Sequence, residues 1–217
     1  MLRRQYKIIF QIYSVDMDNV IYTKNYEAEP FDKREILRYA GVVGDTHEFD
    51  LLLEECINEA KKSFVYKVCF REFEIRKNGD MLDLGFYKTD SQNLRKNLEG
   101  CKSIVLFAAT VGIEIDRLVA KYASISPTKA LIFQAIGAER IESLCDTFDR
   151  EIIAKKESEG FVTCPRFSAG YGDFPLDAQR SIFAVLDVQK RIGLTLNESL
   201  LMSPSKSVTA IIGVRNK

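Results

Sequence analysis

The run Arg166-Phe167-Ser168-Ala169-Gly170-Tyr171-Gly172-Asp173-Phe174-Pro175 gathers glycines, aromatics, a cation and a proline at a point where one kind of periodicity gives way to another. Before it, Phe161 to Pro165 reads as a short strand. After it, Ala178, Ile182, Val185, Leu186 and Ile192 recur at helical spacing, so the decapeptide is a strand-to-helix connection. Gly170 and Gly172 allow close approach of the main chain or a positive φ. Pro175 suits a first helical turn, and the guanidinium of Arg166 is a planar fork matched to a carboxylate or phosphate. Ordinary surface turns use the same residues, so the meaning of this one depends on the rest of the chain.

Outward from the turn, the pattern predicts an α+β fold. Ser103 to Thr110 is a near-continuous apolar run, as expected of a buried central strand. Val65 to Arg76 alternates as a strand, Asn78-Gly79 is a hairpin signal, and Met81 to Tyr87 reads as the returning strand. Ser207 to Val214 reads as a further interior strand. Asp32 caps a short helix, Lys33 to Ala40, closed by Gly41, and Thr46 opens a longer one with Phe49, Leu52, Leu53, Cys56, Ile57 and Ala60 on its apolar face. Asp90 or Ser91 caps another helix, and Ser126-Pro127 starts one that runs to Glu159 before Gly160. On that helix Glu142, Asp146 and Asp149 form a stripe at i, i+4 and i+7. The expected architecture is a single domain with a mixed, mostly antiparallel twisted sheet flanked by helices. Residues 25–217 make up this domain, and residues 1–24 are an N-terminal extension or edge strand, with Met17 as an alternative start.

Composition narrows the chemistry. The 217 residues carry 31 basic and 31 acidic side chains, and a net charge of zero argues against nucleic acid or an acidic membrane as partner. The apolar patch from Ile8 to Tyr13 is too short to span a bilayer. Five cysteines, Cys56, Cys69, Cys101, Cys145 and Cys164, include no C-x-x-C pair and fit reduced thiols in a cytoplasm. Cys164, two residues before Arg166, is the one placed to be reactive. The lone histidine, His47, follows Thr46 and reads as an exposed first-turn residue; no G-x-S-x-G or H-E-x-x-H accompanies it. The Thr110-x-Gly112 passage lacks the G-x-G-x-x-G fingerprint of a dinucleotide site.

Arg166 to Tyr171 is similar to the R-x-x-x-G-Y element of the activation domain of cobalamin-dependent methionine synthase. The likeness continues through Ile192-Gly193-Leu194-Thr195-Leu196-Asn197-Glu198-Ser199 and Met202-Ser203-Pro204-Ser205-Lys206-Ser207-Val208, in the family's order. Arg34 to Gly41 and Ala109 to Gly112 resemble elements of its stand-alone bacterial relatives. The resemblance implies a protein that holds S-adenosylmethionine against cobalamin, so that one-electron reduction of cob(II)alamin is drawn forward by methyl transfer from the sulfonium. Positioning and electrostatics are then the protein's contribution. It further implies that Arg166 pairs with the carboxylate of S-adenosylmethionine and Glu142 with its ammonium, Glu139 and Asp146 remaining open for that role. Backbone groups of Ser168, Ala169, Gly170 and Tyr171 would hold the adenine or ribose edge, with the Tyr171 ring as a wall. The D-x-H-x-x-G signature for cobalt ligation is missing, so cobalamin would be carried by a partner methionine synthase chain, with a one-electron donor such as flavodoxin.

The chain departs from the family at one informative place. Ile211 and Ile212 follow Ser207-Val208-Thr209-Ala210 where full-length domains carry an aromatic pair that includes a ligand-contacting tyrosine. Two other functions therefore stay in view: a corrinoid-protein docking subunit that does not use S-adenosylmethionine, and an independent small enzyme with Asp173 or the Glu142 stripe as acid and base.

Overall fold

The computed structural model describes residues 20–42 and 47–217; the expectations for residues 1–16, for Met17 and for Thr46 as a cap fall outside them. Five strands form the main sheet: β1 (Tyr22–Asn25), β2 (Lys67–Glu74), β6 (Ser103–Thr110), β10 (Ser207–Asn216) and β7 (Phe161–Thr163), side by side in that order. Every pairing is antiparallel. β6 lies in the middle, and its side chains divide strictly by parity. Val105, Phe107 and Ala109 enter one core, Ile104, Leu106 and Ala108 the other, as the two-residue period of a strand requires.

On the first face lie α1 (Lys33–Tyr39), α2 (His47–Ala60), α4 (Glu114–Tyr122) and α5 (Pro127–Ser158). α5 has 32 residues and buries positions from Ile132 to Lys156. Ser126 caps it and Pro127 occupies its first turn, where the missing N–H costs nothing. The opposite face is covered by α3 (Gln92–Asn97), α6 (Ala178–Leu186), α7 (Val188–Ile192) and a small sheet of β3 (Arg76–Asn78), β4 (Met81–Asp83) and β5 (Lys88–Thr89). A two-stranded ribbon, β8 (Thr195–Leu196) with β9 (Met202–Ser203), leads into β10. Among the described residues no helix is long and apolar enough to cross a membrane.

Several elements differ from the sequence expectation. The strand read from Val65 to Arg76 divides into β2 and the start of β3, which belong to different sheets. The segment read as one helix to Ile192 breaks at Asp187, whose φ of 47° is left-handed; an aspartate tolerates that region better than most residues. Leu186, Val188 and Ile192 still share one core, so the apolar spacing survives the break. Pro175 stands outside the helix, its carbonyl accepting from Ala178 N at 3.2 Å. The Met81 to Tyr87 strand stops at Asp83, because Gly85 (φ 82°) turns the chain while Asp83 Oδ1 accepts from its N–H at 2.9 Å. The preceding hairpin forms with Asn78 paired to Met81 and Gly79 at the first central position, φ 58°, one residue later than the Asn-Gly signal suggested.

The strongest tie between α5 and the segment before α1 is Arg140, which is fully buried. Its Nη1 donates to Glu29 O at 2.6 Å and its Nη2 to Pro30 O at 2.9 Å. Glu139 accepts from both Nε and Nη2, and also from Asp32 N at 3.2 Å. The guanidinium stacks over Phe31 with its carbon 4.1 Å from the ring centroid. Burial disfavours the charge of Arg140, and the Glu139 carboxylate more than offsets this. Asp32 then starts α1 by accepting from Arg34 N and Glu35 N. Removing one partner of such a pair strands the other without water, at a typical cost of about 3–5 kcal/mol. Urea unfolding of Arg140→Ala should show a loss in that range at an unchanged m-value, and a paired Glu139→Leu/Arg140→Met variant should recover part of it.

Candidate functional site

The turn that carries Arg166 hangs from β10. Cys164 N donates to Gly213 O at 2.8 Å, and Phe167 and Ile211 exchange both backbone hydrogen bonds, at 2.8 and 2.9 Å. Thr163 pairs with Val214 and Phe167 with Ile211, so this stretch holds one residue more than the β10 segment it faces. Phe167 packs into the α6 and α7 core and Arg166 lies on the opposite side, against α5. There Arg166 Nη2 donates to Glu142 Oε2 at 2.7 Å, and Nη1 donates to Asp146 Oδ1 at 2.8 Å and Asp149 Oδ2 at 2.5 Å. The i, i+4, i+7 stripe is thus gathered around one cation. Burial works against the Arg166 charge, but the bond to Asp146 and the charge of Asp149 hold its pKa above the usual range.

A guanidinium has five N–H donors, and these three bonds leave Nε–H and one Nη2–H without a protein partner among the described residues. The carboxylates differ in what remains to them. Glu142 and Asp146 stay 44% and 58% exposed, so each can still meet a ligand from the outside. Asp149 is only 22% exposed, and its Oδ1 is buried with no hydrogen-bond partner. Burial raises the pKa of Asp149; Arg166 opposes this, while Asp146 and Glu142 add to it.

Two hollows border this cluster, and Arg166 itself lines the second. The first, of about 320 Å³, opens between α5 and α1 and is lined by Glu142, Asp146, Asp32, Glu35, Tyr39 and one cation, Arg150. The other, of about 250 Å³, is mainly apolar and is bounded by Asp149, Ile153, Thr163, Cys164, Arg166 and Ile212. A larger hollow of about 500 Å³ lies around Lys156 and Phe161. Of the three lysines lining it, Lys102, Lys155 and Lys156, the last is already held by Glu72 and Glu159.

Each residue singled out in the sequence now has a place. Arg166 and Glu142 touch. Glu139 also lines the first hollow, but its carboxylate is committed to Arg140 and to Asp32 N, whereas Asp146 remains available beside Glu142. Within the turn, Gly170 N donates to Phe174 O at 2.9 Å and Tyr171 N to Ser168 O at 3.2 Å. Of the four N–H groups from Ser168 to Tyr171, only those of Ser168 and Ala169 lack a protein acceptor among the described residues. The Tyr171 ring is 69% exposed and stands edge-on to Phe167 at 5.3 Å.

The carboxylate of Asp173 is engaged at the start of α3. It accepts from Ser91 Oγ, from Gln92 N at 2.8 Å and from Asn93 N at 3.1 Å, which caps α3 and lowers its pKa. Ile211 and Ile212 are both buried, on opposite faces of β10. Sequence reasoning missed Cys101, whose sulfur faces that of Cys164 at 3.5 Å. It also gave no sign that α1 forms the far wall of the acidic hollow, because nothing local to residues 30–39 records contact with residues 139–150.

Residues 92–217 match the family model described as "Vitamin B12 dependent methionine synthase, activation domain". A solved structure described as the MetH reactivation domain bound to AdoHcy superposes with a TM-score of 0.65 at 17% identity. The likeness covers 89% of this chain and 78% of that one, and at that identity it establishes the fold.

The raised pKa of Asp149 fixes a pH dependence. Between the unfolded and folded pKa values the native state holds more protons than the unfolded one, so this group's contribution to stability falls as pH rises through that window. Asp149→Asn has no titrating group at this position and can still accept from Arg166. Chemical denaturation across a pH series should show the variant gaining on the parent protein as pH rises above about 4, the ordinary aspartate range, with no further change once the folded pKa is passed.

Proposed function

The chain belongs to the family of vitamin B12 dependent methionine synthase activation domains, and on that premise we propose that it holds S-adenosylmethionine at the Arg166 turn for reductive methylation of cob(II)alamin on a partner methionine synthase chain. The observation that carries this reading is the spare fork of Arg166. Its Nε–H and one Nη2–H are left over beside two exposed carboxylates, Glu142 and Asp146. An α-amino acid head group presents a carboxylate next to an ammonium, so a cation with two spare donors beside two anions with spare lone pairs is complementary to it. When bound, S-adenosylmethionine supplies the methyl group, and a one-electron donor such as flavodoxin supplies the electron.

The roles of this chain's residues are those of positioning. Arg166 receives the ligand carboxylate while the acids keep its plane fixed, so little rotamer freedom is lost on binding. Glu142, with Asp146 beside it, receives the ammonium. The N–H groups of Ser168 and Ala169 are the backbone donors left for the adenosyl portion; Gly170 and Tyr171 serve by shaping the turn and, through the exposed Tyr171 ring, by offering an apolar wall. A methyl donor bound here stays accessible to a corrin on another chain.

One residue favours the second reading, a docking subunit that does not use the ligand. Ile212 is 3% exposed and its side chain lines the apolar hollow next to Arg166, a position from which it offers no hydrogen bond. Calorimetric titration separates the two. S-adenosylmethionine should bind saturably, and Arg166→Ala should weaken it roughly 10- to 150-fold, the equivalent of one charge-assisted pair at about 1.5–3 kcal/mol. Unchanged affinity in the variant would remove Arg166 from the site. No binding at millimolar ligand, alone or with the corrinoid partner present, would favour docking without the ligand.

A further inference from the structure

Cys101 precedes β6 and Cys164 follows β7, on segments 63 residues apart in sequence, yet their sulfurs lie 3.5 Å apart. The approach has a specific cause in β10. Gly213 lies beneath both, and a Cβ built there would stand 2.7 Å from Cys101 Sγ and 3.3 Å from Cys164 Cβ. A larger residue at 213 would force Cys101 Sγ and Leu98 Cδ2, each 2.7 Å from that Cβ, to shift. The remaining three, Cys56, Cys69 and Cys145, are fully buried and pack as small apolar side chains.

The two thiols are unequal in access. Cys164 is partly exposed and lines the apolar hollow beside Arg166, while Cys101 is 7% exposed and its thiol is pushed up to about 12, by burial and then by its neighbour Cys164. An oxidant reaching the hollow therefore meets Cys164 first, with Cys101 in contact behind it as a resolving thiol.

We propose that Cys101 and Cys164 form a redox-active thiol pair that closes to a disulfide under hydrogen peroxide, a modification site on the chain two residues from Arg166. Cys164, as thiolate, attacks one peroxide oxygen; the O–O bond breaks, Cys164 becomes a sulfenic acid and the leaving hydroxide takes up the thiol proton as water. Cys101 sulfur then attacks Cys164 sulfur, the S–O bond breaks, and the departing hydroxide leaves as a second water with the Cys101 proton. Two thiols and one peroxide thus give one disulfide and two waters, the sulfurs losing the two electrons that the peroxide gains. Closure from 3.5 Å to a bond of about 2 Å asks for a movement of about 1.5 Å. It ties the Arg166 turn to the loop before β6 through a covalent link that bypasses β10. This pair stands whether or not the turn binds S-adenosylmethionine.

The test uses the whole chain, reduced, treated with graded hydrogen peroxide, denatured and alkylated with iodoacetamide. Intact mass and a proteolytic map without reductant are then recorded. The expected result is loss of two hydrogens, two fewer alkylated thiols, a linked peptide joining Cys101 to Cys164, and reversal by dithiothreitol. Cys164→Ser should abolish the link, and Cys101→Ser should leave Cys164 as sulfenic or sulfinic acid. If the parent protein carries Cys164 to sulfinic acid while Cys101 remains alkylatable, or if the linked peptide joins other cysteines, the proposal is overturned; this outcome is read on the parent protein and does not depend on either variant folding.

Discussion

A buried guanidinium is tolerable only if its charge and its donors are met inside the protein. Arg140 meets that condition with a carboxylate from the adjacent residue, two carbonyls from the chain before α1 and the face of Phe31. Because those carbonyls belong to Glu29 and Pro30, satisfying Arg140 is the same event as laying residues 29–32 along α5 and starting α1 in the right place. The acidic hollow between α1 and α5 follows from it. Arg166 contacts the same helix but is satisfied only in part, by acids that leave donors over. Two arginines thus divide the work: Arg140, closed, on α5 fixes the wall of that hollow, and Arg166, open, is held by the α5 acids Glu142 and Asp146 that line it.

The turn itself depends on a different constraint, its attachment to β10. Phe167 is paired to Ile211 and buried on the α6 and α7 side, while its neighbour Arg166 reaches α5 on the other. The glutamate and aspartates there recur at i, i+4 and i+7, so one helix face meets one side chain. Four ionic groups are brought together by the attachment of one turn and the periodicity of one helix.

Much of this was legible in the sequence, for reasons that can be named. The apolar run of β6 matches the strand at both ends, Asp32 and Ser126 cap the helices expected to begin there, and of Asp90 and Ser91 it is Ser91 that caps α3, because those signals are local. The stripe on α5 was visible as a pattern, and its partner Arg166 as a motif. What was not legible rests on contacts remote in sequence. Asp173 read as a possible acid or base, with no sign that Ser91, Gln92 and Asn93 hold its carboxylate. Glu139 and Asp146 were equivalent candidates until Arg140 claimed one of them. Asp187 has no glycine or proline to announce the break it makes, and Cys101 lies 63 residues from Cys164 in sequence although their sulfurs meet over Gly213.

β10 pairs with β6 on one side and with β7 on the other, yet it follows both in sequence. During synthesis on the ribosome, β2 and β6 can pair early, and α5 can form before either core is closed. The Arg166 turn, however, emerges ahead of the strand from which it hangs. Until β10 is threaded into place, β6 presents an open edge and apolar residues on both faces. The assembly of this site is therefore a late, vectorial event in the life of the nascent chain, and the interval before it is when the polypeptide is most exposed to mispairing with its neighbours.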